Sequence, residues 1–252
     1  MDSEPGKLRE RVGQAAGQVI ASAAALSDSQ AREPSLLPGW SRGHVLTHIA
    51  RNADGLRNLL IWARTGAETP QYPSRQARDE AISAGSGRPA SELAADVRTS
   101  SEAFGAEAGR LSSSAWQVSV SGLRGPSHPA WVVLWRRLSE LELHHVDLGA
   151  GYRPDDWPGP FVTDCLAVVT DVFADQGAAP PALLTDTATG RRYQIGLAST
   201  GSRQQPAEPR PAEPPAIVAG PGSMLLAWLT GRSSGAGLTC EPGGRLPAVP
   251  PW

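Results

Sequence analysis

Apolar residues recur at intervals of three and four through most of the first two-thirds of the chain, the signature of helices with one buried face. Leu8, Val12, Ala15, Val19, Ile20 and Ala23 predict a first helix over about 7–28. Pro38-Gly39 makes a turn, and Ser41 is placed to cap a second helix carrying Val45, Ile49, Leu56 and Leu60. A short helix is expected at about 74–84, and Pro89 opens a longer one through Leu93, Val97, Phe104 and Leu111. Gly122, Gly125, Pro126 and Pro129 break the pattern between Trp116 and Pro129, which reads as a loop or short hairpin. The period then returns over about 130–148 with Trp131, Leu134, Leu138, Leu141 and Val146, and Gly149 and Gly151 end it. One more helix runs through Phe161, Leu166, Val169 and Phe173.

Near Gly177 the pattern changes. Ala182–Thr185, Arg192–Leu197 and Ala216–Ala219 read as short strands, with Thr189-Gly190 turning between the first two. A helix is expected over about Pro221–Thr230, and Gly237–Thr239 makes a last strand. The expected organisation is therefore α+β, with a helical domain over 1–177 and a small α+β domain over 178–252. A proline-rich insertion at about 201–215 interrupts the second and is expected to carry no chemistry.

Composition narrows the function. Lys and Arg number 23 against 25 Asp and Glu, and the basic residues are scattered, so the clustered footprint of a nucleic-acid binder is missing. No apolar run approaches the roughly 20 residues that span a bilayer, and the first residues lack a basic-then-apolar signal, so a cytoplasmic protein without membrane partners is expected. The two cysteines, Cys165 and Cys240, are too few for a zinc knuckle or a disulfide framework, so any metal must be held by His and carboxylate.

Five candidate groups crowd Glu140-Leu141-Glu142-Leu143-His144-His145-Val146-Asp147. On a helix Glu140, His144 and Asp147 share one face, and Glu142 and His145 form a separate pair. Glu140 and His144, four apart, could chelate a metal, with Asp147 orienting the histidine. Such pairs are equally common as solvated helix-face contacts, so spacing leaves both readings open. In the earlier run Ser41–His48, His44 and His48 are also four apart. His48 lies at the inner edge of the apolar stripe, whereas His44 falls in the first turn beside Arg42 and Gly43, read as exposed. His48 is thus the preferred third ligand, although a lone histidine on an apolar face is more often a hydrogen-bonded core residue. No Gly-x-Ser-x-Gly elbow supports a serine triad, and Gly220-Pro221-Gly222-Ser223 lacks the lysine of a P-loop.

Leu37-Pro38-Gly39-Trp40-Ser41 with His48, the run Trp135–Tyr152, Leu226-Ala227-Trp228-Leu229-Thr230-Gly231-Arg232 and the closing Leu246-Pro247-Ala248-Val249-Pro250 together resemble the mycothiol-dependent maleylpyruvate isomerase family. The first motif also occurs across DinB-like metal-binding bundles, so the Gly231-Arg232 tail is what makes the combination specific. The resemblance implies an up-down DinB-like four-helix bundle followed by a small domain similar to sterol-carrier-like folds. It implies zinc held by residues matching His48, Glu140 and His144, and two catalytic arginines matching Arg78 and Arg232, with Arg75 one turn from the former. Mycothiol as cofactor, a dicarboxylate substrate and a place in gentisate-type aromatic catabolism follow from the same resemblance; a monomer is expected. Reversible addition of a thiolate would make the double bond a single bond, which explains why an isomerase would need a zinc-activated thiol. The alternatives are a mycothiol S-transferase using the same thiolate, and a non-enzymatic thiol-binding or small-molecule-binding protein with a structural metal.

Overall fold

The computed structural model describes residues 4–123, 125–176, 179–196 and 215–250. The chain divides into two compact units, Asp2–Tyr152 and Arg153–Trp252, the latter grouped with Met1. A break near Gly177 is what the sequence suggests, but the division falls about 25 residues earlier. The reason is helix α7 (Gly159–Gln176), whose apolar face packs on helix α8 (Gly222–Leu229) and on a strand of the following sheet. Gly177 itself, most of the proline-rich insertion and the expected strand end at Leu197 lie outside the described residues.

The first unit is built on four long helices: α1 (Pro5–Ala24), α3 (Arg42–Thr65), α5 (Ala90–Ala108) and α6 (Trp131–Asp147). Both α1 and α3 pack on α5 and on α6, so α1 and α3 take opposite corners of a four-helix bundle. The apolar stripes read from the sequence become its core, with Leu8, Val19, Leu46, Ile49, Leu60, Leu93, Val97, Leu134 and Leu141 all fully buried. The first helix ends sooner than expected. Ser27 caps a separate short helix, α2 (Asp28–Arg32), through a capping box with Gln30, a local signal that outweighs continued helical spacing. Helix α4 (Arg75–Gly85) starts at a Ser74 cap and packs on α3. The Gly- and Pro-rich segment before α6 forms a two-stranded hairpin, β1 (Ser119–Val120) and β2 (His128–Pro129).

In the second unit four strands stand in the order β4–β3–β5–β6: β3 (Ala182–Asp186), β4 (Arg192–Ile195), β5 (Ala216–Gly220) and β6 (Thr239–Glu241). The β3–β5 pair is parallel, and the two edge strands are antiparallel to their neighbours. Along β3, Ala182 and Leu184 are buried while Leu183 is exposed, the alternation of a sheet covered on one face, where α8 lies. Asp186 fixes the turn and the helix start together. Its Oδ1 accepts from the amides of Ala188 (3.0 Å) and Gly222 (2.9 Å), and its Oδ2 accepts from the Thr189 hydroxyl (2.6 Å). Among the described residues no helix is long and apolar enough to cross a membrane.

Candidate metal centre

Helix α3 begins where Gly39, at φ +78°, turns the chain so that Ser41 can cap it. The Ser41 hydroxyl accepts from the His44 amide (3.3 Å), and the Ser41 amide donates to His44 Nδ1 (3.2 Å). His44 is therefore the reciprocal half of a capping box, which is why it is no partner for a metal. One turn on, His48 points inward and keeps only 4% of its side-chain surface exposed. Arg42 and Gly43, read as exposed, are not. Arg42 Nε donates to the carbonyl of Leu148 and Nη2 to that of Gly149, both at 3.1 Å, so the start of α3 caps the end of α6. Gly43 lies so close to the Ser86 carbonyl that a Cβ would stand 2.1 Å from its oxygen. The Leu36 amide adds a bond to the Asp147 carbonyl at 2.8 Å.

With the two helices joined there, Glu140 and His144 on α6 meet His48. One donor atom from each of the three lies within 4.8 Å of the others. Glu140 Oε2 is 2.9 Å from His48 Nε2 and 3.2 Å from His144 Nε2. The two imidazoles cross at 88° with centroids 4.5 Å apart, and Trp40 stands edge-on to His48 at 5.6 Å. The opening is on the carboxylate side, since the Glu140 side chain keeps 32% of its surface exposed. As the helix phase requires, Glu142 and His145 turn elsewhere: Glu142 accepts from Tyr152 Oη at 2.6 Å, and His145 Nε2 meets Ser22 Oγ at 2.8 Å.

The electrostatics follow from these contacts. Burial alone would raise the Glu140 carboxyl, but hydrogen bonds and charge from His144 and His48 outweigh it and hold the group well below the carboxylate range. Burial would lower His144, yet its bonds to Asp147 and Glu140 raise it. His48 is lowered, by burial first and then by the charge of His144, against a smaller opposing contribution from Glu140.

Arg78, on α4, reaches the same place. Its Nη2 is 3.1 Å from His48 Nδ1, and its Nη1 donates to Asp79 Oδ1 at 2.6 Å. Arg75, one turn away, lines a separate open surface with Gln76, Asp79, Glu80, Ser83 and Ala84. Two neighbours escape sequence reasoning. Tyr72 lies beside Arg78, and its phenol is raised by burial and then by the charge of Glu140. The signal that could have found it is Gly55, inside α3, where a Cβ would come within 2.8 Å of the tyrosine ring. The second is Arg136, four residues before Glu140 on α6 and within the reach of its charge. Arg232 belongs to the C-terminal unit, where its Nη1 donates to the Thr230 carbonyl at 2.8 Å. Burial pushes the Cys165 thiol up to about 12, too high for a nucleophile at neutral pH, and Cys240 Sγ is tied to the Arg245 carbonyl at 3.1 Å.

The donor set is two imidazoles and one carboxylate, a combination suited to zinc with a position left open. His144 is preset for it: Asp147 Oδ2, 2.8 Å from Nδ1, accepts a hydrogen bond from that nitrogen, so Nε2, which faces Glu140, is the nitrogen that would ligate on giving up the proton it shares with Glu140. His48 fits after one adjustment. A guanidinium only donates, so beside Arg78 the His48 Nδ1 accepts and its Nε2 carries the proton shared with Glu140. Ligation through Nε2 requires that proton to leave and Arg78 to turn from Nδ1.

Residues 12–149 match the family model described as the mycothiol maleylpyruvate isomerase N-terminal domain, and residues 156–251 match that of the corresponding C-terminal domain. Two solved structures are similar over nearly the whole length: a mycothiol-dependent maleylpyruvate isomerase, and a mutant of it with a histidine replaced by alanine. Each is 29% identical, covers 99% of this chain and 97% of its own, and has a TM-score of 0.87. No curated protein sequence matches. With both domain models matched in order along its length, the chain belongs to the mycothiol-dependent maleylpyruvate isomerase family.

Proposed function

We propose that the protein is a zinc- and mycothiol-dependent isomerase that converts maleylpyruvate to fumarylpyruvate in aromatic-acid breakdown, acting as a cytoplasmic monomer. The observation that carries the reading is the convergence of His48, Glu140 and His144 on one point, in a chain of this family, with Arg78 against the first of them. The three ligands would sit in the N-terminal unit. When bound, the metal supplies positive charge that favours a thiolate, and the thiol supplies the nucleophile whose reversible addition lets the carbon skeleton rotate.

The chain's own residues have distinct tasks. His48, Glu140 and His144 hold the metal, and Asp147 keeps the proton of His144 on Nδ1. Arg78, once turned from His48, offers a permanently charged fork to a substrate carboxylate or to the enolate oxygen that receives the electron pair of the double bond. Arg232 is assigned the second such role from its match to the family motif. The high pKa of Cys165 is consistent with a nucleophile brought in from outside.

The test is direct. Zinc-loaded protein given mycothiol and maleylpyruvate should convert the ultraviolet spectrum of the substrate to that of the trans isomer; an unchanged spectrum overturns the reading. Product mass separates it from an S-transferase, which would give a product heavier by one mycothiol. Removing the metal should abolish turnover, whereas a structural ion would instead lower the melting temperature sharply when removed.

A further inference from the structure

Arg136 stands on α6 four residues before Glu140, on the same helical face. Its guanidinium lies against the β1–β2 hairpin, where Gly122 makes room for it. A Cβ added at Gly122 would stand 2.5 Å from Nη1, and one at Gly125 would stand 3.7 Å from Nη2. Among the described residues this partly buried guanidinium makes no hydrogen bond and no ion pair. The carboxylate nearest along its own helix face, Glu140, is already engaged by both histidines. A guanidinium without a protein partner and still open to solvent has its donors available to an arriving carboxylate. Arg78 comes to the same centre from α4, so cationic forks approach Glu140 from two different elements.

We propose that Arg136 determines specificity by binding one carboxylate of a dianionic ligand at the metal centre, with Gly122 leaving the space in which its guanidinium lies. This rests on the metal centre being the substrate site. Arginine suits the task because its planar fork meets a carboxylate with two parallel hydrogen bonds, which a single ammonium does not. The hairpin thereby gains a use: Gly122 leaves the space in which the fork sits, and Gln71 fixes that strand end by accepting from the Leu123 amide at 2.9 Å.

The experiment compares two ligands of the same cis skeleton on the zinc-loaded protein by calorimetry, without any thiol: maleate, with two carboxylates, and isocrotonate, with one. The wild type should bind maleate about tenfold or more tightly than isocrotonate, the effect of one charge-assisted fork. Arg136→Gln should reduce that ratio to about two or less at unchanged zinc content. Arg136→Lys should keep part of it. Gly122→Val, which leaves the charge but pushes the flexible end of the arginine aside, should also erase the preference and guards against a folding defect in the first variant. A wild type that binds both ligands equally, or neither, overturns the proposal, as does a ratio preserved in Arg136→Gln. Because the measurement involves no turnover, an inactive wild type would refute the isomerase reading while leaving this ratio to be judged on its own.

Discussion

The α6 side and the α3 side of the metal centre contribute one histidine each, and the two are prepared in opposite ways. His144 has a carboxylate behind it, Asp147 at 2.8 Å, which keeps a proton on Nδ1 and directs Nε2 to the ligand position. His48 has a cation behind it, Arg78 at 3.1 Å, which demands the Nδ1 lone pair and so sends the proton to the nitrogen that must ligate. On the α6 side the partner behind the histidine could stay when a metal binds; on the α3 side it would have to be exchanged. Under the proposed function, the difference would make Arg78 a group released as a metal is loaded, when a cationic fork becomes useful to an anionic substrate.

The comparison can be broken at its centre first. Glu140→Gln removes the negative ligand that both histidines share and should cost more in zinc affinity than the roughly 10–100-fold typical of an outer partner. Metal analysis after dialysis should find the variant essentially free of zinc, and stoichiometric retention would refute the ligand set. Asp147→Asn tests the α6 side alone. It should weaken zinc by about 10–100-fold without unfolding the bundle, as measured by competition with a chelator. Arg78→Met tests the α3 side, and there the sign should reverse: zinc should bind about fivefold more tightly, the worth of one net hydrogen bond of about 1 kcal/mol, while turnover falls. A weaker zinc affinity in this variant would mean that Arg78 supports the ligand instead of competing for it.

The smallest effect is in the pH dependence of the metal-free protein. Because the folded state raises His144, its contribution is complete below the unfolded value of about 6.5 and is lost as pH rises through the folded value. His48 is lowered on folding, so the unfolded chain takes its proton more readily, and stability is lost as pH falls below about 6.5. Relative to wild type, His144→Asn should therefore make stability rise more steeply with pH between about 5.5 and 7.5, and His48→Asn should tilt it the other way. Urea unfolding across that range reads both slopes. Two variants that tilt together would show that the histidines do not sit in opposed surroundings.

What the sequence discloses of this site is what helix phase controls. Spacing of four brings Glu140 and His144 to one face, and the apolar stripe distinguishes His48 from His44, because the period of a helix is a property of the local chain. The Ser41 cap, the α6 stop at Gly149 and the Thr189-Gly190 turn are legible for the same reason. Contacts made across the bundle are not. Nothing near Tyr72 in the chain announces that it will rest on Gly55 beside Arg78, and Arg42 looks like a solvated first-turn residue until the end of α6 is brought to it. The choice between Arg75 and Arg78 is a question of which face of a short helix meets α3, and only packing answers it. The sequence suggests a break after α7 and the compact units divide before it, because α7 has the same helical period as the bundle helices while its partners, α8 and β4, come later in the chain.

The clasp of Arg42 on the last carbonyls of α6 has one more consequence. Each residue of an α-helix advances about 100° around its axis, so a slip of a single position would carry both Glu140 and His144 away from His48. Two bonds from one guanidinium and one from the Leu36 amide, all to the same terminal turn, set the rotational phase of α6. A residue outside the His48, Glu140 and His144 cluster thus determines the heading of two of its members.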